Sequence, residues 1–382
     1  MKAIKFLHFS DVHLDVPFTS MKTGKSKISE RRRDIIEVFD SIINLAKKEC
    51  VDTIFISGDL YEHSYVKKST IEYINKNFSE IAEIKIFIIP GNHDPYVNNS
   101  YYKNYDWAKN VFILSEEKPF YLDKNIGLCV YGIGFENFFK EKNSVNDIKC
   151  IDKRLINVLL IHGTVDINIK GNVYNPVKSQ ELAQLGMDYI ALGHFHKRIE
   201  DVGGKGVIYN AGSPEPLGFD EEGEHGVFIG SINKLCEDEK NLTVNFICLN
   251  KRQYKSISIK FDKVTNIDTI IDKIHEETKG LEGEKNLLHV TLKGYTDRGF
   301  KINVSELKEI LESKFFYIKI KNDTIPFYDF DEIMEDAGIK GLFVKKMMFK
   351  IEYAKSEREK ELLLKSLCYG LEALEGGHIE VF

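Results

Sequence analysis

The sequence predicts an α/β fold in which helices cover layers of β-strands. Apolar runs at residues 4–9, 53–57 and 85–89 have the length and the β-branched or aromatic composition of buried strands. Residues 30–48 and 69–81, which separate these runs, place apolar side chains at helical spacing. An alternation of strand and helix is typical of parallel sheets with helices on the outside.

The following segments continue this pattern. Further strands are predicted at residues 111–114, 128–133, 158–161 and 189–192, with a helix at 178–185. After Gly203 and Gly204 the chain becomes β-rich, with strands predicted at residues 207–210, 226–232 and 242–249.

The residues beyond 250 predict a smaller α+β module and then a helical tail. We expect an α/β domain at 1–250, an α+β capping domain at 251–325 and a helical tail at 326–382. Leucines between residues 362 and 374 form a narrow apolar stripe on this tail. The stripe either docks on a helix of a partner or caps the chain's own domain, and the sequence leaves both interpretations open.

Composition and charge exclude several classes of protein. The net charge is −6, from 53 basic and 59 acidic residues, whereas a protein that coats DNA without specificity is usually basic. Any contact with nucleic acid is therefore expected to be local or metal-mediated. The six cysteines form no CxxC pair, which argues against a zinc knot or a disulfide framework. No apolar run approaches the roughly 20 residues that span a bilayer, so we expect a cytoplasmic protein without membrane contact.

Five short motifs, far apart in the chain, carry Asp, Asn or His near the ends of predicted strands. They are Asp11-Val12-His13, Gly58-Asp59, Gly91-Asn92-His93-Asp94, His162-Gly163 and Gly193-His194-Phe195-His196. The carboxyl ends of strands build ligand sites in α/β folds. Each motif alone is weak, because Asp-x-His and Gly-Asn sequences are also common in turns. Their joint occurrence at strand ends predicts one shared site.

Carboxylate, amide and imidazole groups without a thiolate suit a pair of divalent ions such as Mn²⁺. Such a pair predicts metal-assisted hydrolysis of phosphoesters. Asp59 is the natural bridging ligand, and Gly58 before it allows close approach of other groups. Asn92 adds a neutral oxygen. We expect His93 to protonate the leaving oxygen while Asp94 orients its ring.

These motifs resemble the signature of the calcineurin-like metallophosphoesterase superfamily, and the resemblance covers roughly residues 1–250. It implies an αββα fold, a β-sandwich flanked by helices. It also implies two metal sites and a catalytic histidine, His93, partnered by Asp94. The first ion would be bound by Asp11, His13, Asp59 and His196, and the second by Asp59, Asn92, His162 and His194.

The segments between the motifs are similar to a narrower branch, the YhaO-type DNA repair exonucleases, which resemble the nuclease subunit SbcD of the SbcCD complex. The similar segments are residues 10–15, 58–62, 90–95, 212–219 and 369–376. This similarity implies exonuclease and endonuclease action on DNA, an SbcC-like coiled-coil ATPase as partner, and a homodimer. Mn²⁺ is the expected ion, with Mg²⁺, Fe²⁺ and Zn²⁺ as alternatives. Some nucleases of this group carry a histidine where this chain has Glu62, so the role of the adjacent His63 stays open.

Other features have two interpretations each. The basic residues Lys22, Lys25, Lys27, Arg31, Arg32 and Arg33 bind DNA phosphates or form a solvated helix start, and Arg31, Arg32 and Arg33 are our DNA-binding candidates. The aromatic residues between 96 and 107 either stack on unpaired bases or have a structural role, in core packing or in a dimer contact. For function, the alternatives are a phosphoesterase acting on nucleotides or other small phosphate esters, and a scaffold that has lost catalysis.

Overall fold

The computed structural model of the chain describes residues 2–19, 21, 25–140, 145, 148–166, 174–237, 239–281 and 283–376. The chain divides into two compact units, Met1–Gln253 and Tyr254–Phe382.

The first unit contains two sheets and their flanking helices. Its strands are β1 (Lys2–Phe9), β2 (Thr53–Ser57), β3 (Lys85–Ile89), β4 (Val111–Ile113), β5 (Phe120–Asp123), β6 (Leu128–Ile133), β7 (Ile156–His162), β8 (Tyr189–Gly193), β9 (Ile208–Asn210), β10 (Gly226–Lys234) and β11 (Lys240–Cys248). Its helices are α1 (Lys25–Lys48), α2 (Lys68–Ser79), α3 (Tyr101–Asn104) and α4 (Ser179–Ala183).

The strand order of the first sheet is β11-β10-β1-β2-β3-β4, and that of the second is β5-β6-β7-β8-β9. Strands β1 to β4 are parallel, and β10 and β11 are added antiparallel beside β1. In the second sheet β6 to β9 are parallel and β5 is antiparallel. Because most neighbours are parallel, the carboxyl ends of the central strands gather at one edge of each sheet.

The two sheets face each other across one apolar core. Phe6, Phe55 and Phe87 of the first sheet cluster there with Val158 and Tyr189 of the second. Rings of the two sheets touch directly, with centroids 4.5 Å apart for Phe6 and Tyr189. Such pairs prefer tilted arrangements and add to the stabilisation from buried area.

Helices cover the outer faces of this sandwich. Side chains alternate along a strand, so the fully buried Ile54 and Ile56 point away from the face that carries Phe55. Helices α1 and α2 bury apolar faces and meet through Phe39 and Phe78, whose ring centroids lie 5.9 Å apart. Leu182 of α4 belongs to the cluster on the outside of the second sheet. The predicted α/β class, with an αββα sandwich, is confirmed.

The second unit is α+β. It contains strands β12 (Gln253–Val264), β13 (Asn286–Thr296), β14 (Tyr317–Asn322) and β15 (Ile325–Pro326) and helices α5 (Ile267–Glu277), α6 (Val304–Glu312), α7 (Phe330–Met334), α8 (Ile339–Glu352) and α9 (Glu357–Leu374). The first core of this unit joins the sheet to α5 and α6 through residues such as Ile274, Val290 and Leu307. A second core joins Val344 of α8 to Leu367 of α9.

Sequence and structure agree closely on the elements. Strands β2, β3 and β6 have the predicted bounds. The tail is helical as predicted, but it is divided into three helices, and Ser356 caps the last by accepting a hydrogen bond from the Glu359 amide. Strand β5 was not predicted. The separation of the module from the tail at residue 325 stays a prediction. Among the described residues, no helix combines the length and the apolar character that crossing a bilayer requires.

One buried ion pair links the two sheets. The Lys234 ammonium, at the end of β10, lies 2.7 Å from the Asp188 carboxylate, which directly precedes β8. Both residues are only 3% exposed. Lys234 also donates to the carbonyl of Leu155, and Asp188 accepts from the amide of Asn157. Removing one member of a buried pair leaves an uncompensated charge in the interior.

We therefore expect Asp188→Asn to lower the free energy of unfolding of the first unit by about 3 kcal/mol. The chain's single tryptophan, Trp107, reports on this unit in a urea titration followed by fluorescence. The control is Glu72→Gln, which removes the exposed pair with Lys68 and should cost about 0.5 kcal/mol or less. Equal effects of the two variants would contradict the prediction.

Candidate active site

The seven predicted metal ligands meet where the central strands of both sheets end. Asp11, Asp59 and Asn92 follow β1, β2 and β3 of the first sheet, while His162 ends β7 and His194 follows β8 of the second. Hydrogen bonds hold these ends together: the Ser57 hydroxyl donates to the carbonyl of Ala191 at 3.0 Å. Residues 183 positions apart, Asp11 and His194, are joined by a 3.1 Å hydrogen bond from the His194 amide to the Asp11 carboxylate.

The backbone at this site is strained. Asp11, His13, Asp59 and His194 have φ values of 53°, 51°, 54° and 98°, in the left-handed region that side chains other than glycine rarely adopt. Each such residue costs about 1–3 kcal/mol and persists only where the surrounding structure enforces it. Four strained residues in one cluster therefore indicate a functional site.

Two glycines allow the close approach. Gly58 has a φ of 90°, and a Cβ atom there would collide with the His162 ring. A Cβ on Gly91 would collide with the Asp59 carboxylate. The predicted reason for Gly58, close packing at the strand end, agrees with this geometry.

The first predicted ligand set forms one cluster. The Nε2 atoms of His13 and His196 lie 3.2 Å apart. The Asp11 carboxylate lies 3.8 Å from His196 Nε2, and the Oδ2 atom of Asp59 lies 3.7 Å from His13 Nε2. Asp11, His13 and Asp59 are almost fully buried. Two carboxylates and two imidazoles that point at one spot are suitable ligands for a divalent ion.

The second predicted set forms a cluster beside the first. His162 Nε2 lies 3.2 Å from Asp59 Oδ2 and 3.0 Å from the amide oxygen of Asn92. His194 Nδ1 lies 3.1 Å from the same Asn92 oxygen. Asp59 Oδ2 thus faces a histidine of each cluster, which is the position of a bridging ligand.

Hydrogen bonds from outside the clusters orient three of the rings. Nδ1 of His13 contacts Glu62 at 2.8 Å, Nδ1 of His162 contacts the Ser57 carbonyl at 2.7 Å, and Nδ1 of His196 contacts Glu221 at 2.7 Å. Ligand histidines in metal sites typically donate their second ring nitrogen in this way. With protons on Nδ1, the Nε2 lone pairs face the clusters, so the donor set fits divalent metal ions.

The protonation equilibria also fit cation binding. Burial lowers the pKa of His162, but the charge and hydrogen bond of Asp59, the charge of Asp11 and the Ser57 carbonyl together outweigh burial and raise the pKa to about 9. Burial also lowers the pKa of His196, but the hydrogen bond and charge of Glu221, together with the charges of Asp11 and Asp59, raise it to about 9. His194 differs, because burial and the nearby charge of His162 lower its pKa to about 4. Protons on His162 and His196 balance the buried carboxylates, and a divalent cation would replace them.

His93 lies beside the clusters with a half-exposed ring, and the structure corrects its predicted partner. Its Nδ1 atom contacts Glu62 at 3.1 Å, and its ring lies edge-on to that of His13 at 4.8 Å. Burial lowers the pKa of His93, but the hydrogen bond to Glu62 and neighbouring carboxylates raise it to about 9. The carboxylate that orients His93 is therefore Glu62, and not Asp94 as expected.

Asp94 instead holds the loops together. Its fully buried carboxylate accepts hydrogen bonds from the backbone amides of Asp59 at 3.1 Å, Leu60 at 2.7 Å and Gly91 at 2.6 Å. The Tyr102 hydroxyl donates a further bond at 2.6 Å. Asp94 thus joins the loop after β2 to the loop after β3. It holds the backbone that carries the proposed ligands Asp59 and Asn92.

The DNA-binding prediction for Arg31 is also corrected. Its guanidinium has no exposed surface and pairs with Asp34 at 2.9 Å and Glu215 at 2.5 Å, so it is not available to a phosphate. Arg32 is partly buried and donates to the Val16 carbonyl. Arg33 is exposed and remains a candidate. Lys22, from the same basic group, lies outside the described residues.

Sequence reasoning missed two carboxylates, Glu62 and Glu221. Glu62 had a signal, because it stands three residues after Asp59, where some nucleases of the similar branch carry a histidine. Glu221 had none that we identify, since it lies 25 residues beyond His196 in the loop after Gly212-Ser213-Pro214-Glu215-Pro216. The Ser213 hydroxyl of this segment donates to Glu221 at 2.7 Å, so the segment supports the carboxylate that contacts His196.

Comparisons with known proteins agree with this geometry. The profile of the family described as calcineurin-like phosphoesterase matches residues 4–198. The uncharacterized metallophosphoesterase YhaO of Bacillus subtilis (strain 168) is 28% identical over 236 residues, which cover 59% of this chain and 57% of YhaO. The DNA double-strand break repair protein Mre11 of Saccharolobus solfataricus is 28% identical, and the match covers 95% of this chain and 94% of that protein. Mre11 of Sulfurisphaera tokodaii is 26% identical, with 77% and 74% covered.

The contact between Glu62 and His93 predicts a measurable change. In metal-free protein, Glu62→Gln should lower the pKa of His93 from about 9 by about one unit, because the carboxylate that stabilises the imidazolium is lost. Histidine ring resonances followed by NMR between pH 5 and 10 give this value. Glu221→Gln is the matched control: it should lower the pKa of His196 and leave that of His93 in place. An unchanged His93 titration in Glu62→Gln would refute the assignment.

Proposed function

The chain belongs to the calcineurin-like phosphoesterase family, and from this premise we propose that it is a nuclease that hydrolyses phosphodiester bonds of DNA during repair. Family membership makes it a metal-dependent hydrolase of phosphate esters. The choice of DNA rests on the Mre11 proteins named above, one of which matches this chain along 94% of its own length.

The observation that carries the proposal is the pair of ligand clusters that share Asp59. We propose that Asp11, His13, Asp59 and His196 bind one ion, and that Asp59, Asn92, His162 and His194 bind the other. Mn²⁺ is the proposed ion, because it accepts both oxygen and imidazole ligands. When bound, two such ions neutralise phosphate oxygens and activate a water molecule.

His93 is the proposed proton donor. In the metal-free protein, burial lowers the pKa of His93 but the Glu62 hydrogen bond and the nearby carboxylates raise it to about 9, so the ring carries its proton there at neutral pH. Glu62 binds its Nδ1 atom, so the proton available for transfer is the one on Nε2. A proton delivered to the leaving oxygen typically contributes about 10²–10⁴-fold to the rate.

The test compares three variants for DNA cleavage and for manganese content. With Mn²⁺ and linear or single-stranded DNA, His93→Ala should retain the ions and cleave about 10²–10⁴-fold more slowly. Asp59→Asn should lose both the ions and the cleavage. His275→Ala changes a partly exposed histidine of the second unit that contacts Lys314; it is the matched control and should behave as wild type.

The remaining outcomes separate the alternatives. Hydrolysis of small phosphodiesters without cleavage of DNA would favour a nucleotide or small-molecule phosphoesterase. Manganese content near zero in the wild type would favour a scaffold without catalysis. Cleavage unaffected by His93→Ala would refute the role of this residue.

We further propose a coiled-coil ATPase of the SbcC type as partner, bound by helix α8. Ile339, Leu342, Phe349 and Tyr353 are 69%, 58%, 62% and 67% exposed. Their spacing of three, seven and four residues places them on one face of the helix. An apolar stripe of this kind is typical of helices that pack on a coiled coil. The homodimer implied by the sequence resemblance stays a prediction.

Substitution on this face tests the partner. Leu342→Glu combined with Phe349→Glu should abolish co-elution with the cognate ATPase in size-exclusion chromatography with light scattering. Leu235→Glu, at a 57% exposed leucine of the first unit, should retain it. Co-elution of the double variant would contradict the proposed interface.

The expected location is the cytoplasm. All six cysteines are free thiols, and two of them, Cys129 and Cys368, are buried. Unpaired cysteines are typical of proteins that work in a reducing compartment.

A further inference from the structure

Two consecutive phenylalanines are exposed near the two ligand clusters. Phe138 and Phe139 leave 49% and 45% of their surfaces accessible. Single exposed apolar residues are ordinary, but adjacent exposed rings near a polar site indicate a binding surface. Together with Tyr174, which contacts Phe139, we call these residues the aromatic rim.

The rim touches the candidate active site at two places. The Phe138 ring lies edge-on to that of His63 at 5.6 Å, and the His63 amide donates to the carbonyl of His93 at 2.9 Å. On the other side, the Phe139 ring contacts Tyr174 at 5.4 Å, and Tyr174 contacts the ring of His194 at 5.4 Å. The rim therefore extends from His63, which is hydrogen-bonded to the backbone of the proposed proton donor, to a proposed ligand of the second ion.

Hydrogen bonds fix both segments of the rim to the wall of the site. The Asn175 amide donates to the carbonyl of Lys140 at 2.8 Å, which joins the residue after Tyr174 to the residue after Phe139. The Asn175 side chain donates to the carbonyl of His162 at 2.8 Å. Phe135, fully buried, anchors the start of the phenylalanine segment against the His162 ring. The position of the rim relative to the ligands is thus determined by the backbone.

Core packing does not account for this exposure. Tyr102 illustrates an aromatic residue that does pack in the core: it is 4% exposed, and its ring stacks on that of Trp107. Phe138 and Phe139 meet His63 and Tyr174 in edge-to-face geometry and keep about half of their surfaces open. An open ring beside a site for phosphodiesters suits a flat apolar ligand that is covalently attached to a phosphate.

We propose that the aromatic rim binds an unpaired nucleobase of the DNA strand that has a phosphodiester at the two ligand clusters. This inference rests on the proposed function, because it assumes that the substrate is DNA. Inside a duplex both faces of a base are covered by its neighbours, so only single-stranded or frayed ends offer a free face. The rim would therefore make the enzyme select unpaired nucleotides.

The test measures equilibrium binding in a His93→Ala background with Mn²⁺, where cleavage is suppressed. The ligands are a fluorescent single-stranded oligonucleotide and the blunt duplex of the same sequence. Phe138→Leu combined with Phe139→Leu should weaken single-strand binding roughly tenfold, since stacking on an aromatic ring is lost while apolar volume is kept. Affinity for the blunt duplex should change less than about twofold.

Two controls isolate stacking. Phe138→Tyr combined with Phe139→Tyr keeps the rings and should retain single-strand binding. Phe120→Leu removes a 46% exposed ring of strand β5, which contacts Tyr131, and should retain it as well. The proposal would be overturned if the leucine variant bound the single strand as tightly as the His93→Ala protein does. It would also be overturned if the leucine variant lost affinity for the single strand and for the duplex equally. A changed oligomeric state in light scattering with unchanged DNA affinity would assign the rim to a second copy and overturn it too.

The experiments distinguish failure of the base-binding proposal from failure of the nuclease proposal. Wild-type protein that cleaves DNA, combined with a leucine variant of undiminished single-strand affinity, overturns the rim alone. Wild-type protein that neither binds nor cleaves DNA contradicts both.

Discussion

The candidate site depends on the position of one buried carboxylate, Asp59. Its Oδ1 atom accepts a 2.8 Å hydrogen bond from the His93 amide, and its Oδ2 atom faces His13 and His162. It reaches this place only because the chain before it has left-handed geometry at Gly58. The same residue therefore connects the first sheet, the second sheet and the loop that carries His93, the proposed proton donor.

The sandwich architecture explains why this convergence is stable. Strands of both sheets end at a common edge, and the aromatic core between the sheets holds these ends at a fixed separation. The strained backbone at Asp11, His13 and Asp59 costs free energy that such a rigid core can offset. Rigid elements that carry functional loops are the usual means of positioning side chains accurately.

Much of this could be predicted from the sequence, because the signals are local. Strands such as β2 and β3 are short apolar runs bounded by polar residues, and the ligands stand directly after them. Glu221 and Arg31 could not be predicted, because their environments arise only when distant segments fold together. The basic residues of α1 look alike in the sequence, yet Arg31 is buried by Glu215, which lies 184 residues away. For Asp94, adjacency to His93 suggested contact between their side chains, whereas the turn directs them apart.

The location of Asp94 affects how its replacement should be understood. This side chain holds the backbone of two turns, so a shortened or neutral residue would free both turns and displace the proposed cation ligands that they carry. An inactive protein with a change at this position would therefore be evidence of a disassembled centre, whatever the chemistry of the adjacent imidazole. A genetic screen that scores only loss of activity would therefore count Asp94 among the catalytic residues, although its role is to hold the backbone.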